Sequence, residues 1–182
     1  DESWARFNVA PKVICVTGSN GKSTTTALLE HILSNNGVPV ETGGNIGKAV
    51  LSLKPGVEKE VKVLEISSYQ ADLSRSLQPD IAVFLNFSPD HSTRHAGKGG
   101  YFLAKSRLFT MGGADRSIIG VDEIEGLFLS NVIREEFLSA EPVISFSVTA
   151  SLKGSNWSIF VKKGFLVEWR NGRQIASIDL RE

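Results

Sequence analysis

The sequence predicts an α/β domain: a mostly parallel sheet with helices on both faces and a small antiparallel C-terminal extension. Three observations carry that expectation. Short runs of β-branched and apolar residues alternate with helical segments from Lys12 to about Ala150, as in a parallel sheet built from crossover helices. A glycine-rich break, "GSNGKST" (18–24), stands between the first strand run and the first helical run. Beyond Asn156 the helical pattern stops and two alternating runs meet at Lys163-Gly164, as in a hairpin.

Taken in order, "KVICV" (12–16) reads as a buried strand and Lys22–Asn36 as a helix that Gly37 ends. "VPVET" (38–42) is a short strand, followed by Gly43-Gly44-Asn45-Ile46-Gly47 and a short helix to about Leu53. "VKVLEIS" (61–67) and "DIAVFLNF" (80–87) are the third and fourth strands. A loop with Pro89, His91 and His95 leads to a helix over 101–111, then come a strand at 117–121, a helix at 124–139 and a strand at 142–148. The tail forms a hairpin over 156–170, and Asn171-Gly172 turns the chain into a third strand at 173–180. No repeat or linker interrupts this order. Residues 1–11 read as a linker from an N-terminal domain, 12–150 as the core, and 151–182 as an antiparallel extension of the same domain.

The 182 residues include 20 Lys plus Arg against 20 Asp plus Glu, a formal net charge of zero. That balance argues against nucleic-acid or membrane partners acting through bulk charge. One cysteine, Cys15, cannot form an intrachain disulfide, which fits a reducing, cytoplasmic setting. No apolar run approaches the roughly 20 residues of a membrane span.

Ligands of an open parallel sheet bind beyond the carboxyl ends of its strands. Here those ends carry Gly18-Ser19-Asn20-Gly21-Lys22-Ser23-Thr24, then Gly44-Asn45, then Glu65 with Ser67, Ser68, Tyr69 and Gln70, then Asn86 with Asp90-His91. The first group reads as a shortened phosphate-binding loop of a P-loop, Rossmann-like sheet. Its glycines let backbone N–H groups approach phosphate oxygens at a helix start. Lys22 is placed to bridge β- and γ-phosphates, and Ser23 to ligate Mg²⁺. The bland alternative is a helix start capped by Ser23 or Thr24.

Glu65 is either a strand end reaching solvent or a Mg²⁺ ligand beside Ser23. His91 alone reads as a loop histidine, and His31 and His95 as surface residues. Lys105 is unusual because its helical neighbours are Tyr101, Phe102, Leu108 and Phe109. It either snorkels outward or is placed for chemistry.

Taken together, "TGSNGKST" (17–24), "GGNIG" (43–47), "LEISSYQ" (64–70), "NFSPDH" (86–91) and "YFLAKSRLF" (101–109) resemble the central ATP-binding domain of the Mur ligases. The first of these is shared with folylpolyglutamate synthases. The Ser-Ser-aromatic-Gln run points to the member that joins D-glutamate to UDP-N-acetylmuramoyl-L-alanine in peptidoglycan synthesis. The resemblance implies ATP, two Mg²⁺ sites, and an acyl phosphate made from the muramoyl carboxylate and opened by the D-glutamate amine. It implies that Gly18 to Thr24 hold the ATP phosphates, with Lys22 at β/γ, and that Ser23 and Glu65 hold one metal. His91 and Lys105 serve the second metal, Lys105 as a carbamate, and Asn45, Ser67, Gln70 and His91 touch the muramoyl substrate. It further implies a monomeric parent whose N- and C-terminal domains hold the UDP group and D-glutamate, so that this segment alone makes no amide.

Two positions depart from the family pattern. Ser92-Thr93 stand where relatives carry Leu-Asp, and "GKGG" (97–100) stands where relatives often carry a glutamate. A P-loop GTPase is the rival of another class, but its Asn-Lys-x-Asp and Asp-x-x-Gly motifs do not occur in the sequence.

Overall fold

Strand and helix alternate as the apolar pattern requires. The computed structural model describes residues 12–88, 95–111, 113–136 and 142–181. It has two compact units, Asp1–Asp115 and Arg116–Glu182.

The first unit runs β1 (Lys12–Thr17), α1 (Lys22–Asn35), β2 (Val40–Gly44), a 3₁₀ turn (Val50–Ser52), β3 (Val61–Glu65), α2 (Ser68–Leu73), β4 (Ile81–Phe84) and α3 (Lys98–Thr110). Its strands lie side by side in the order β2-β3-β1-β4, all parallel. Cys15 is flanked in register by Leu64 and Ala82, and all three are fully buried. Every residue of β3 is buried, as befits an inner strand of a parallel sheet.

Lys62 breaks that apolar run, and the fold answers its charge. Its Nζ donates to Glu41 Oε2 at 2.5 Å and lies 3.1 Å from a Glu60 carboxylate oxygen. Burial works to raise the Glu41 carboxyl pKa, but hydrogen bonds from Lys62 and Lys48 outweigh it and leave the pKa below the usual value.

Helix α1 starts at Gly21, whose φ of 80° puts it in the left-handed region, and no side chain caps it. The alternative reading, a helix start capped by Ser23 or Thr24, is therefore not what the chain uses. At the other end Val38 N–H donates to Leu33 O and Gly37 N–H to Ser34 O, both at 3.0 Å. With φ of 73° at Gly37, this is the Schellman closure that the glycine predicts. Helix α3 starts three residues earlier than expected, because Lys98, Gly99 and Gly100 form its first turn. Its aromatic side clamps β4: Phe84 meets Phe102 and Phe109 edge-on at 6.3 and 6.1 Å, and Phe87 meets Tyr101 at 5.4 Å.

The second unit runs β5 (Arg116–Gly120), α4 (Ile124–Glu136), β6 (Val143–Ser147), β7 (Trp157–Lys162), β8 (Phe165–Arg170) and β9 (Arg173–Asp179), with strands side by side in that order. β5, β6 and β7 are parallel, and β7, β8 and β9 antiparallel. The hairpin extension thus continues the parallel strands through β7. Lys163-Gly164 and Asn171-Gly172 have positive φ at both positions, the requirement of two-residue type I′ turns. Past β5, Asp122 accepts from the Ser147 and Thr149 hydroxyls at 2.5 Å each and from the Val148 amide at 2.9 Å. Burial works to raise the Asp122 pKa, and these bonds outweigh it and lower the pKa.

Candidate functional site

Parallel strands deliver their carboxyl ends to one side, and in the first unit four such ends carry the polar residues singled out above. The register fixes their relative heights: Val16 of β1 and Gly44 of β2 both pair with Glu65 of β3. Glu65 is only 1% exposed. Its Oε2 accepts from the Ser23 hydroxyl at 2.8 Å and its Oε1 from the Asn45 side-chain amide at 2.9 Å. The carboxylate is therefore held between the phosphate loop and the end of β2 rather than reaching solvent.

Two glycines make this approach possible. A Cβ at Gly44 would collide with the Glu65 backbone, and its φ is +111°. The Asn45 amide then donates to Glu65 O at 2.9 Å. A Cβ at Gly18 would lie 2.9 Å from Leu85 Cβ, so only glycine lets the loop lie against the end of β4.

The loop itself is tied down. Lys22 Nζ folds back to donate to Gly18 O at 3.2 Å and Ser19 O at 3.0 Å. Ser19 Oγ donates to Ser88 O at 3.0 Å and accepts from Ser88 N–H at 2.9 Å. At the head of α1 the N–H groups of Lys22, Ser23 and Thr24 belong to the first turn, which has no intrahelical acceptors. They present donors at the positive end of the helix dipole, where negative charge is favoured.

Lys105 does not snorkel. It is 1% exposed, its Nζ donates to Gly18 O at 2.7 Å, and it lies 4.6 Å from the centre of the Tyr101 ring. The lysine on the apolar stripe of α3 thus ends at the phosphate loop.

Ser67 and Gln70 engage each other. The Ser67 amide and hydroxyl donate to Gln70 Oε1 at 3.0 and 2.9 Å, and the Gln70 amide donates to Ser67 Oγ at 3.3 Å. This capping box starts α2, a helix absent from the sequence expectation although the Ser-x-x-Gln spacing is its signature. His91, Asp90 and the Ser92-Thr93 departure lie outside the described residues.

His31 is exposed, as expected. His95 is not a plain surface residue, and this corrects the expectation. Its Nε2 lies in hydrogen-bond range of Ser68 Oγ at 3.0 Å, and its ring stacks on Tyr69 at 4.9 Å. No sequence spacing signals that contact, because Ser68 and His95 are 27 residues apart.

Among the described residues no cluster of three or more His, Cys, Asp or Glu side chains could hold a metal unaided. The Ser23 hydroxyl and Glu65 carboxylate, 2.8 Å apart, are nevertheless a hard-oxygen pair of the kind Mg²⁺ takes together with phosphate oxygens and water. The chemistry of the donors fits.

Residues 16–172 match the family described as Mur ligase middle domain. The chain belongs to that family. Among curated relatives of this Mur ligase middle domain, the UDP-N-acetylmuramoylalanine--D-glutamate ligase of Cereibacter sphaeroides (strain ATCC 17029) is 58% identical over 182 residues, covering 98% of the chain and 38% of the relative. The protein of the same name from Ruegeria pomeroyi is 56% identical over 179 residues, with the same coverage. The chain thus spans 38% of the length of these relatives.

Solved structures share the fold of this middle domain at lower identity. A UDP-N-acetylmuramoyl-L-alanyl-D-glutamate--2,6-diaminopimelate ligase superposes with a TM-score of 0.69 at 20% identity, over 93% of this chain and 39% of that one. E. coli FolC in complex with DHPP and ADP gives 0.62 at 17% identity, over 98% of this chain and 51% of that one. These likenesses confirm the mixed α/β fold, mostly parallel with antiparallel C-terminal strands. Among the described residues no helix is long and apolar enough to cross a membrane.

Proposed function

We propose that this middle domain is the ATP-handling centre of a cytoplasmic ligase that joins D-glutamate to UDP-N-acetylmuramoyl-L-alanine. The observation that carries the reading is the buried Glu65 carboxylate, joined to Ser23 of the phosphate loop and to Asn45 at the end of β2. The 58% identity to relatives bearing that name supports the choice of substrates.

In this reading a carboxylate oxygen of the muramoyl-alanine attacks the γ-phosphorus of ATP, the bond to the β-γ bridging oxygen breaks, and ADP leaves. The D-glutamate amine then attacks the acyl carbon, inorganic phosphate leaves, and the nitrogen loses a proton to give the amide. Negative charge gathers in both steps, so the work is clamping and positioning. Lys22 turns from Gly18 O and Ser19 O to the β- and γ-phosphates, and the amides at the head of α1 hold the phosphate oxygens. Ser23 and Glu65 hold Mg²⁺, which neutralises phosphate charge. His91 and Lys105, the latter as a carbamate, serve a second Mg²⁺ site, and Asn45, Ser67 and Gln70 face the muramoyl substrate. UDP and D-glutamate are held by domains of the parent protein beyond this segment, and the parent acts as a monomer.

The test is ADP release by the full-length protein. The expected result is turnover that needs both UDP-N-acetylmuramoyl-L-alanine and D-glutamate and is lost in Lys22→Ala. Equal turnover with L-glutamate, L-lysine or a folate substrate in place of its partner would overturn the substrate assignment. Nucleotide affinity unchanged in Lys22→Ala would overturn the loop assignment.

A further inference from the structure

A phosphate loop serves by presenting backbone N–H groups to an anion, so any N–H already bonded inside the protein is withdrawn from that service. In this chain two are withdrawn by one residue. Asn86, two positions beyond β4, accepts the Asn20 amide on Oδ1 at 2.9 Å and returns Nδ2–H to Asn20 O at 3.1 Å. Its backbone oxygen accepts the Ser19 amide at 3.1 Å. The side chain thus pairs with both backbone polar groups of Asn20 across a separation of 66 residues.

A carboxamide of this length is suited to the task, since it offers a donor and an acceptor together. Leucine of similar size offers neither, and aspartate lacks the donor. Leu85, the residue before Asn86, lies close against Gly18 of the same loop. The start of α1 has no side-chain cap.

We propose that Asn86 is a positioning residue of the phosphate loop. It occupies the amides of Ser19 and Asn20, so the nucleotide phosphates are taken by the amides from Gly21 to Thr24, and it holds those donors in place before nucleotide arrives. Asn86 touches no phosphate itself. Its contribution is the ordering that ATP would otherwise have to supply on binding. The inference rests on the reading that ATP occupies this loop.

The test uses full-length protein. In Asn86→Leu the KM for ATP should rise about tenfold, with kcat within about threefold of the parent and the KM for D-glutamate unmoved, the split expected when ground-state binding alone is weakened. A parent-like KM for ATP in Asn86→Leu would overturn the proposal. Lys22→Ala is run beside it: if that variant loses ATP while Asn86→Leu does not, only the role of Asn86 falls. If both bind ATP normally, the nucleotide reading falls with it.

A second measurement needs no variant. In protein labelled with ¹⁵N at asparagine and glycine, ATP should shift the Gly21 amide proton strongly downfield and leave that of Asn20 nearly unmoved. A large downfield shift at Asn20 would show that its N–H leaves Asn86 for the phosphate, and the proposal would fail.

Discussion

Lys105 Nζ and the carbonyl oxygen of Gly18 meet at 2.7 Å, although 87 residues separate them in the chain. The same carbonyl accepts from Lys22 at 3.2 Å, so two lysines from different helices converge on the first glycine of the phosphate loop. In the proposed function Lys22 is the cation for the phosphates and Lys105 has a different task. If that task is to bear a carbamate, arginine cannot replace it, because a guanidinium stays positively charged. In the full-length protein Lys105→Ala and Lys105→Arg should each lose on the order of a hundredfold in kcat. A small added carboxylic acid should restore part of the Lys105→Ala activity. Near-parental turnover in Lys105→Arg would sink the idea.

Glu65→Gln keeps the shape of the side chain and removes its charge. Asn45 and Ser23 retain a polar neighbour, so the melting temperature should move by only a few degrees, the equivalent of about 1 kcal/mol. The dependence of nucleotide affinity on Mg²⁺ should disappear. Calorimetry with ADP, with and without Mg²⁺, reads this directly, and a retained Mg²⁺ effect would remove Glu65 from the metal site.

Gly44→Ala tests the close approach of β2 to β3. The new methyl would meet the Glu65 backbone at a φ of +111°, so strain and a forced shift of β3 act together. A loss of about 3 kcal/mol or more is expected in urea unfolding. Gly47→Ala is the control: it also has positive φ but nothing within 4 Å of the added carbon, and it should lose roughly 1 kcal/mol.

Lys62 is fully buried between Glu41 and Glu60. Lys62→Ala leaves two carboxylates facing each other without their shared cation. The loss should be about 3–5 kcal/mol, measurable as a fall in denaturation midpoint, whereas removal of the exposed Lys12 partner of Asp80 should hardly register. An unchanged midpoint in Lys62→Ala would mean that the acids find other partners.

Asp122 supplies a pH dependence. Its folded pKa is lowered below the ordinary carboxylate value, so the unfolded chain binds the proton more readily. The stabilisation is complete above the unfolded pKa of about 3.9 and fades as pH falls through the folded one. In Asp122→Asn the acid side of the stability profile should flatten while stability near pH 7 falls. A mutant profile parallel to that of the parent at all pH values would contradict this role.

Strand and helix order was legible because period-2 and period-3.6 patterns are local, and so were both type I′ turns, which Lys-Gly and Asn-Gly announce. The short helix α2 was not. Its six residues span less than two turns, too few to set a period, and its Ser67–Gln70 box is a spacing of only two polar residues. In the site, Lys22 and Ser23 could be read from their spacing, and Glu65 from the oddity of an acid closing an apolar strand. The clasp of Asn86 on Asn20, and that of Ser88 on Ser19, join residues 66 and 69 apart in sequence. Only the parallel register of β1 with β4 brings them together. Lys62 was hidden for the same reason: its partner Glu41 sits on the neighbouring strand, where pairing rather than sequence order makes them adjacent.

The last strand, β9, has all seven residues exposed, with Ile175 and Ile178 at 49% and 61%. Among the described residues its one pairing partner is β8, so its other edge has no strand beside it there. Such a rim is a template on which another strand can grow. Prepared as a separate reagent, this segment should therefore be limited by its behaviour at high concentration, through rim-to-rim association, sooner than by any fault in its phosphate loop. A lysine at position 178 would be the simplest remedy.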